Sequence, residues 1–414
     1  MRAEQRAAAD TAGNRMTIAI TCPGQELAAA EGLSGEARIA RVEVLEDMAR
    51  AEPAWRRLEN GSPLATAYQR FDLLAAWQQH VGARSGITPF IVIGSDRSEQ
   101  PLFLWPFGLT RKGPLRIARF LGSKHSNFNL GLWRRDVLPL IGEDDICSIW
   151  RELRTDIDLL VLCNQPLTWH GASNPFLLLP HQASVDMSAR LSLRGLPTPI
   201  DRVLSNSMRS RLRNKERKLA KQRGYRYIQA ATAEDIDRLL DSFFTFKAGH
   251  MAAQGLGNVF AERGVAKFLR AACHRKLGNG RPLIEIHALE VSAEVVALFG
   301  IIVDGYRCSS MFNTYTLSDN ARYSPGLILL EHLVNECGRR GVQSFDIGVG
   351  RAQYKSFFCP EPEPLFDSFV PLTPRGRVAA AGFSAAFAAK RTIKQSRTLW
   401  AGVQMMRRAR AVTQ

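Results

Sequence analysis

The chain has 414 residues, 45% apolar and 23% charged, the makeup of a folded globular protein long enough for two or three cores. No run approaches the roughly 18 uninterrupted apolar residues of a membrane-spanning helix, and the N-terminus, with Arg2, Glu4, Arg6 and Asp10, lacks the apolar core of a signal peptide. The formal charge of +16 is concentrated in two segments, +8 over residues 201–226 and +9 over 374–414, leaving −1 elsewhere and excluding a surface that is basic throughout.

In chain order, residues 1–37 are Ala/Gly/Glu-rich with little periodicity and read as a flexible leader. Val42–Leu45 predicts a first strand, Glu46–Leu58 an amphipathic helix and Gln69–His80 a second helix. Strands follow at Phe90–Ile93, Leu102–Leu109 and Leu115–Leu121, separated by polar turns. Asp144–Arg154 predicts a helix and Asp158–Cys163 a buried strand. Gly195, Pro197 and Pro199 mark a hinge between halves.

The second half opens with a basic helix capped by Ser205 or Ser207 and stopped at Gly224. Ala233–Ala248 and Val265–Leu277 predict two further helices, and Ile284–Glu290, Val295–Val303 and Tyr306–Tyr315 a meander. An apolar helix spans Leu327–Cys337, a short strand Ser344–Ile347, and a last strand Leu365–Val370. The two meanders agree in order, length and turn spacing, and each follows a helical stretch, which predicts an internal duplication. The tail, with Phe383, Phe387, Leu399 and Trp400 among nine basic residues, suits an amphipathic helix at a membrane surface or partner. A disordered basic tail fits the same composition.

The seven cysteines, at 22, 147, 163, 273, 308, 337 and 359, are odd in number and lack a C-x-x-C pair, as in a reducing compartment. The eight histidines show no ligand spacing, so no metal is expected.

Chemistry concentrates in the second half. In Arg322-Tyr-Ser-Pro-Gly326, Pro325 suits the first helical position and Ser324 the cap. The first-turn amides and helix dipole favour an anion such as a pyrophosphate, with Arg322 nearby. A plain capped helix explains the same pentapeptide. In Asp346-Ile-Gly-Val-Gly350, the glycines Gly348 and Gly350 let the backbone bend or approach a ligand. Tyr354 can protonate a leaving group and Lys355 can stabilise an oxyanion. The spacing is neither a P-loop nor a dinucleotide fingerprint, since no helix carrying a third glycine follows. Asp346 is a candidate base or a turn former, and His250 can line an acceptor cleft.

The ordered set resembles the GNAT-fold acetyltransferases of the CelD/BcsL-like class, relatives of the FemAB peptidyltransferases. It comprises the basic helix Arg209–Leu219, Phe243-Phe-Thr-Phe-Lys247, Val295–Leu298, Tyr323-Ser-Pro-Gly326, Phe345-Asp-Ile-Gly348 and Gly350-x-x-x-Tyr354-Lys355. The likeness runs from about Glu46 to about Pro371. It implies an α+β fold of two tandem GNAT-like units with mixed, mostly antiparallel sheets flanked by helices. The units would span 38–195 and 196–373, the second carrying the donor site, with a basic amphipathic tail at 374–414.

By resemblance, the protein is an acyltransferase, an N-acetyltransferase in the first instance. It would move an acetyl or other acyl group from acyl-CoA to an amine or hydroxyl of an envelope- or exopolysaccharide-related acceptor. The loop Arg322, Tyr323, Ser324, Gly326, Leu327 stands where GNAT enzymes wrap the pyrophosphate of acetyl-CoA. It keeps the Arg and one Gly of that pattern. Tyr354 and Lys355 would assist the reaction, Asp346 would shape the site, and His250, Gly348 and Gly350 would meet the acceptor, a small molecule or a glycan- or lipid-linked one. A cytoplasmic place is expected, peripheral to the inner membrane face through the tail. A FemAB-like transferase using aminoacyl-tRNA, the one nucleic acid considered, and a non-catalytic membrane-surface adaptor are the alternatives.

Overall fold

The computed structural model describes residues 16–18, 39–195, 199–350, 353–396, 398–400 and 402–403. The rest of the expected leader, Pro197 of the expected hinge and residues 404–414 of the expected tail lie outside them.

The first unit runs β1 (Arg41–Leu45), α1 (Met48–Asn60), α2 (Phe71–Trp77), β2 (Thr88–Ser95), β3 (Pro101–Lys112), β4 (Leu115–Phe120), α3 (Glu143–Leu153) and β5 (Leu159–Pro166). Strand β6 (Ser188–Ser192) and the basic helix α4 (Asn206–Ala220) follow. The second unit repeats the plan: β7 (Arg226–Gln229), α5 (Ala233–Ala253), α6 (Val265–His274), β8 (Glu285–Val291), β9 (Glu294–Val303), β10 (Arg307–Tyr315), α7 (Pro325–Arg339) and β11 (Ser344–Asp346). The chain ends with α8 (Gln353–Phe358), β12 (Leu365–Pro371) and α9 (Pro374–Gln395).

The expected duplication is explicit in the strand order. The first sheet runs β1-β2-β3-β4-β5-β12 and the second β7-β8-β9-β10-β11-β6, with short strands added at the margins. In both, the fourth and fifth strands are parallel and the other neighbours antiparallel. The sixth strand is exchanged: β6, from the end of the first unit, completes the second sheet, and β12, beyond the second unit, completes the first. The final strand therefore differs from the expected division at 373. Its length and turns are local properties and do not say which sheet it joins, so its sequence carries no address.

Each sheet covers its own apolar cluster. The first is aromatic, with Phe103 stacked on Trp105 and Trp105 on Trp150 at 4.5 and 4.7 Å between centroids. The second packs Leu329, Leu333 and Val334 of α7 against Leu289, Val296 and Phe345 of its sheet. Each such side chain contributes about 1.5–3 kcal/mol on burial. Helix α1 starts where Asp47 accepts the amide N–H of Ala49 at 2.7 Å, and α4 where Ser205 accepts that of Met208. Gly224, at φ +75°, closes the turn after α4 as expected.

Residues 353–358, to which the sequence reading assigns no element, form a turn and a half of helix bearing Tyr354 and Lys355. The run is too short for periodicity to register. The tail is helical over α9, but its aromatic residues face inward. Phe383 and Phe387 lie 6.0 and 5.0 Å from Phe369 of β12, and Lys394 pairs with Asp186. The side of α9 that bears Phe383 and Phe387 is thus covered by the protein's own sheet. No helix among the described residues is long and apolar enough to cross a membrane.

Candidate functional site

Strand β10 pairs with β9 from Cys308 to Tyr315 but with β11 only over Arg307–Ser309. Beyond Ser309 the two parallel strands are no longer paired, which leaves a wedge between them. Side chains from three elements reach β10 carbonyls along this stretch. Asn127 Nδ2 donates to Ser310 O at 3.0 Å, Lys247 Nζ to Asn313 O at 3.3 Å, and His250 Nε2 meets Tyr315 O at 3.0 Å. The His250 ring also lies 4.2 Å from that of Tyr315.

The floor of the wedge is a buried ionic network. Asp346 Oδ2 accepts from Arg307 Nε at 2.7 Å and Ser309 Oγ at 2.5 Å, while Oδ1 accepts the Gly348 N–H at 2.8 Å. Arg307 also clamps Glu363 with both terminal nitrogens, and its guanidinium lies 4.8 and 4.6 Å from the Phe128 and Trp169 rings of the first unit. Asp346 is fully buried with both oxygens engaged, which suits positioning rather than proton transfer.

Gly348 and Gly350 both need the left-handed region, at φ +75° and +101°. A Cβ on Gly348 would fall 2.7 Å from the Asn127 amide nitrogen, which also donates to the buried Tyr68 hydroxyl at 2.8 Å. Lys355 Nζ donates to the Gly348 and Val349 carbonyls, both at 3.2 Å, and fastens this turn. Burial draws the Lys355 ammonium below its ordinary range, against the pull of Asp346. Tyr354 hydrogen-bonds the Asn313 side chain, and burial raises its hydroxyl above the usual phenol value. It therefore holds its proton at neutral pH, as a general acid must. Burial also lowers Lys247, which has no carboxylate partner among the described residues and lies 5.6 Å from the Phe260 ring centre.

At the other end of β10 stands the N-terminus of α7. Ser324 sits in the left-handed region, φ +56°, with no side-chain cap bond, so the expected capping role is not what it performs. Its hydroxyl instead accepts from Lys215 Nζ at 2.6 Å. Left-handed backbone costs a residue with a Cβ about 1–2 kcal/mol. Arg322 folds back onto Tyr323, its Nη2 donating to that hydroxyl at 2.9 Å. Gly326 packs beside Tyr315, where a Cβ would make ordinary contact at 3.7 Å, and Leu327 lies against the second core. The first turn of α7 carries no acid. Its amides and dipole, with Lys215, suit an anionic group.

The matching place in the first unit is built differently. There β4 and β5 pair only at Ile117–Ala118, and the returning chain bonds the β5 carbonyls. Asn129 N–H donates to Asn164 O and Asn129 Nδ2 to Cys163 O, both at 3.0 Å. The first turn of α3, which corresponds to α7, carries Glu143, Asp144 and Asp145. Three carboxylates there repel an anion.

The expected residues thus fall into two groups joined by β10: Arg322, Tyr323, Ser324, Gly326 and Leu327 with His250 at one end, and Asp346, Gly348, Gly350, Tyr354 and Lys355 toward the other. Sequence reasoning gave no role to Lys247, Asn313, Asn127 or Lys215. Lys247 left a trace as a cation on the aromatic face Phe243-Phe-Thr-Phe246, and Lys215 as one of the cations of the basic helix.

Residues 206–356 match the family model described as Acetyltransferase (GNAT) domain. No curated protein matches the chain. Among solved structures, the C-terminal domain of a candidate lysylphosphatidylglycerol synthetase from Agrobacterium fabrum is similar at 11% identity and TM-score 0.50, over 83% of this chain and 97% of that one. FemX is similar at 8% identity and TM-score 0.51, over 77% and 96%. At such identities the likeness is one of fold. The protein is built of two GNAT-like units in tandem, and the acetyltransferase match falls across the second.

Proposed function

We propose that the protein is an acyltransferase with one working site, in the wedge between β10 and β11. The observation that carries this reading is the asymmetry of the two units. In the first unit the returning chain bonds the β5 carbonyls and the helix opens on three acids; in the second the helix lacks first-turn acids and is met by Lys215. The donor in this reading is acetyl-CoA or another acyl-CoA, its phosphates at the α7 N-terminus and its acyl end near Tyr354. Bound there, it supplies an activated acyl carbon. The acceptor amine or hydroxyl bonds to that carbon as the C–S bond breaks, Tyr354 protonates the departing sulfur, and the acceptor's proton leaves through solvent. Lys355 and Asp346 keep the turn in place. The acceptor class is a glycan- or lipid-linked precursor of the envelope or an exopolysaccharide, as in the CelD/BcsL-like class.

A second reading, an aminoacyl-tRNA donor, is favoured by α4, whose exposed Arg211, Arg213 and Lys218, with Lys221 just beyond it, lie on the element that reaches the same donor end through Lys215. Thermal unfolding separates the two. Acetyl-CoA raises the transition temperature under the first reading and charged tRNA under the second; protection by neither removes both.

A further inference from the structure

A cavity of about 550 Å³ opens where α5 and α6 meet the first unit, behind the Phe260 ring that borders Lys247. Its volume falls in the range of small-molecule sites, roughly 300–1,000 Å³. Its apolar surface comes from Phe244, Ala248, Phe260 and Ala266. Arg84, Arg263 and Lys267 stand around it, and none has a carboxylate within ion-pair distance among the described residues. The one acid in the lining, Glu262, is taken by Lys124 at 2.6 Å.

The walls are preformed by both units. Gly264 opens α6 at φ +88°, and a Cβ there would lie 1.9 Å from the His80 carbonyl oxygen, so the loop is pressed onto the first unit at a position only glycine fills. Lys124 and Glu262 tie the same loop across the junction. Asn258 accepts the Phe260 N–H at 3.0 Å and holds that ring's backbone. The basic field is felt locally: His80 is held below its ordinary value by burial and then by Arg84 and Lys267.

We propose that this cavity binds an amphiphile, an apolar chain lying on Phe244, Phe260 and the two alanines, with an anionic head among Arg84, Arg263 and Lys267. An apolar floor alone would accept any hydrophobic molecule. Three cations without a carboxylate partner among the described residues select against a cationic head and leave a carboxylate or phosphate as the matching chemistry. The site is independent of the acyl-transfer reading, since it requires neither the β10 edge nor a donor.

The test is calorimetric titration of the full chain with dodecanoate, dodecyl phosphate, dodecanol and dodecylamine, each below its micelle-forming concentration. Dodecanoate or dodecyl phosphate binds with one-to-one stoichiometry, the stronger naming the head; dodecanol binds more weakly and dodecylamine does not bind. Ala266→Phe, which fills the floor, abolishes binding. The triple variant Arg84→Ser, Arg263→Ser, Lys267→Ser weakens it about tenfold or more, as loss of charge-assisted contacts should. Unchanged circular dichroism and melting temperature keep these variants interpretable, and Ala248→Phe replaces Ala266→Phe if the latter does not fold. Dodecylamine binding as tightly as dodecanoate, or both variants binding like the wild type, overturns the proposal.

Discussion

Replacing Arg307 by Met tests whether Asp346 holds the site or performs chemistry in it. The guanidinium is 2% exposed, bonds Asp346 at 2.7 Å and Glu363 at 2.8 and 2.6 Å, and lies beside Phe128 and Trp169. Its removal leaves the Asp346 carboxylate fully buried with Ser309 and the Gly348 amide but no hydrogen-bonded cation. Breaking such a pair from one side costs about 3–5 kcal/mol, a large share of a typical 5–15 kcal/mol. Asp346→Asn leaves Arg307 with Glu363 alone and should cost somewhat less. The double variant Arg307→Met, Asp346→Asn removes both charges, so its cost should fall about 2–3 kcal/mol short of the sum of the singles. Urea unfolding followed by circular dichroism measures all four proteins, with acyl transfer assayed in parallel. Additive costs would refute the network. An Asp346→Asn protein of wild-type stability with no activity would return Asp346 to the chemistry.

Three further outcomes are expected. Tyr354→Phe should lower kcat about 100-fold or more with KM little changed, the signature of a lost general acid; a wild-type rate removes Tyr354 from the mechanism. Gly326→Asp puts a carboxylate in the first turn of α7, which should stabilise the helix by about 0.3–1 kcal/mol while weakening acyl-CoA binding about tenfold. Unaltered affinity would detach the donor from that helix. Burial holds the Lys247 pKa below that of the unfolded chain, so below the folded value both states carry the proton and the native state bears the full desolvation cost. Between the folded value and about 10.4 the unfolded state binds more protons, and this cost is relieved as pH rises. Wild type should therefore gain stability relative to Lys247→Met between pH 7 and 10, read from paired urea midpoints; a constant difference contradicts the burial argument.

Much of the fold was readable. Helices α1, α3, α5 and α7 carry apolar residues at helical spacing between capping and stop signals, and the two meanders alternate with clear turns. The duplication followed from comparing the meanders, because each strand's length and turn are local properties. The exchange of β6 and β12 was not readable, and neither was α8, whose six residues are fewer than two helical turns. For the site, Tyr354, Gly348 and the α7 terminus stood out because their residue types are unusual where they occur. Asn127 is an ordinary loop residue, and nothing in its neighbourhood shows that it spans to Ser310 of the other unit.

By itself the sequence determined the repeated order of helices and strands, the places where the backbone must turn at glycine, and the concentration of charge in two segments. These depend on neighbours a few residues apart, where propensity, capping and periodicity act. Only the tertiary structure decided which groups meet each wedge, that Lys215 rather than Arg322 meets the α7 terminus, and that the aromatic side of α9 is already covered. Those outcomes depend on pairings between residues from about ten to more than a hundred positions apart, set by how two sheets share strands and pack.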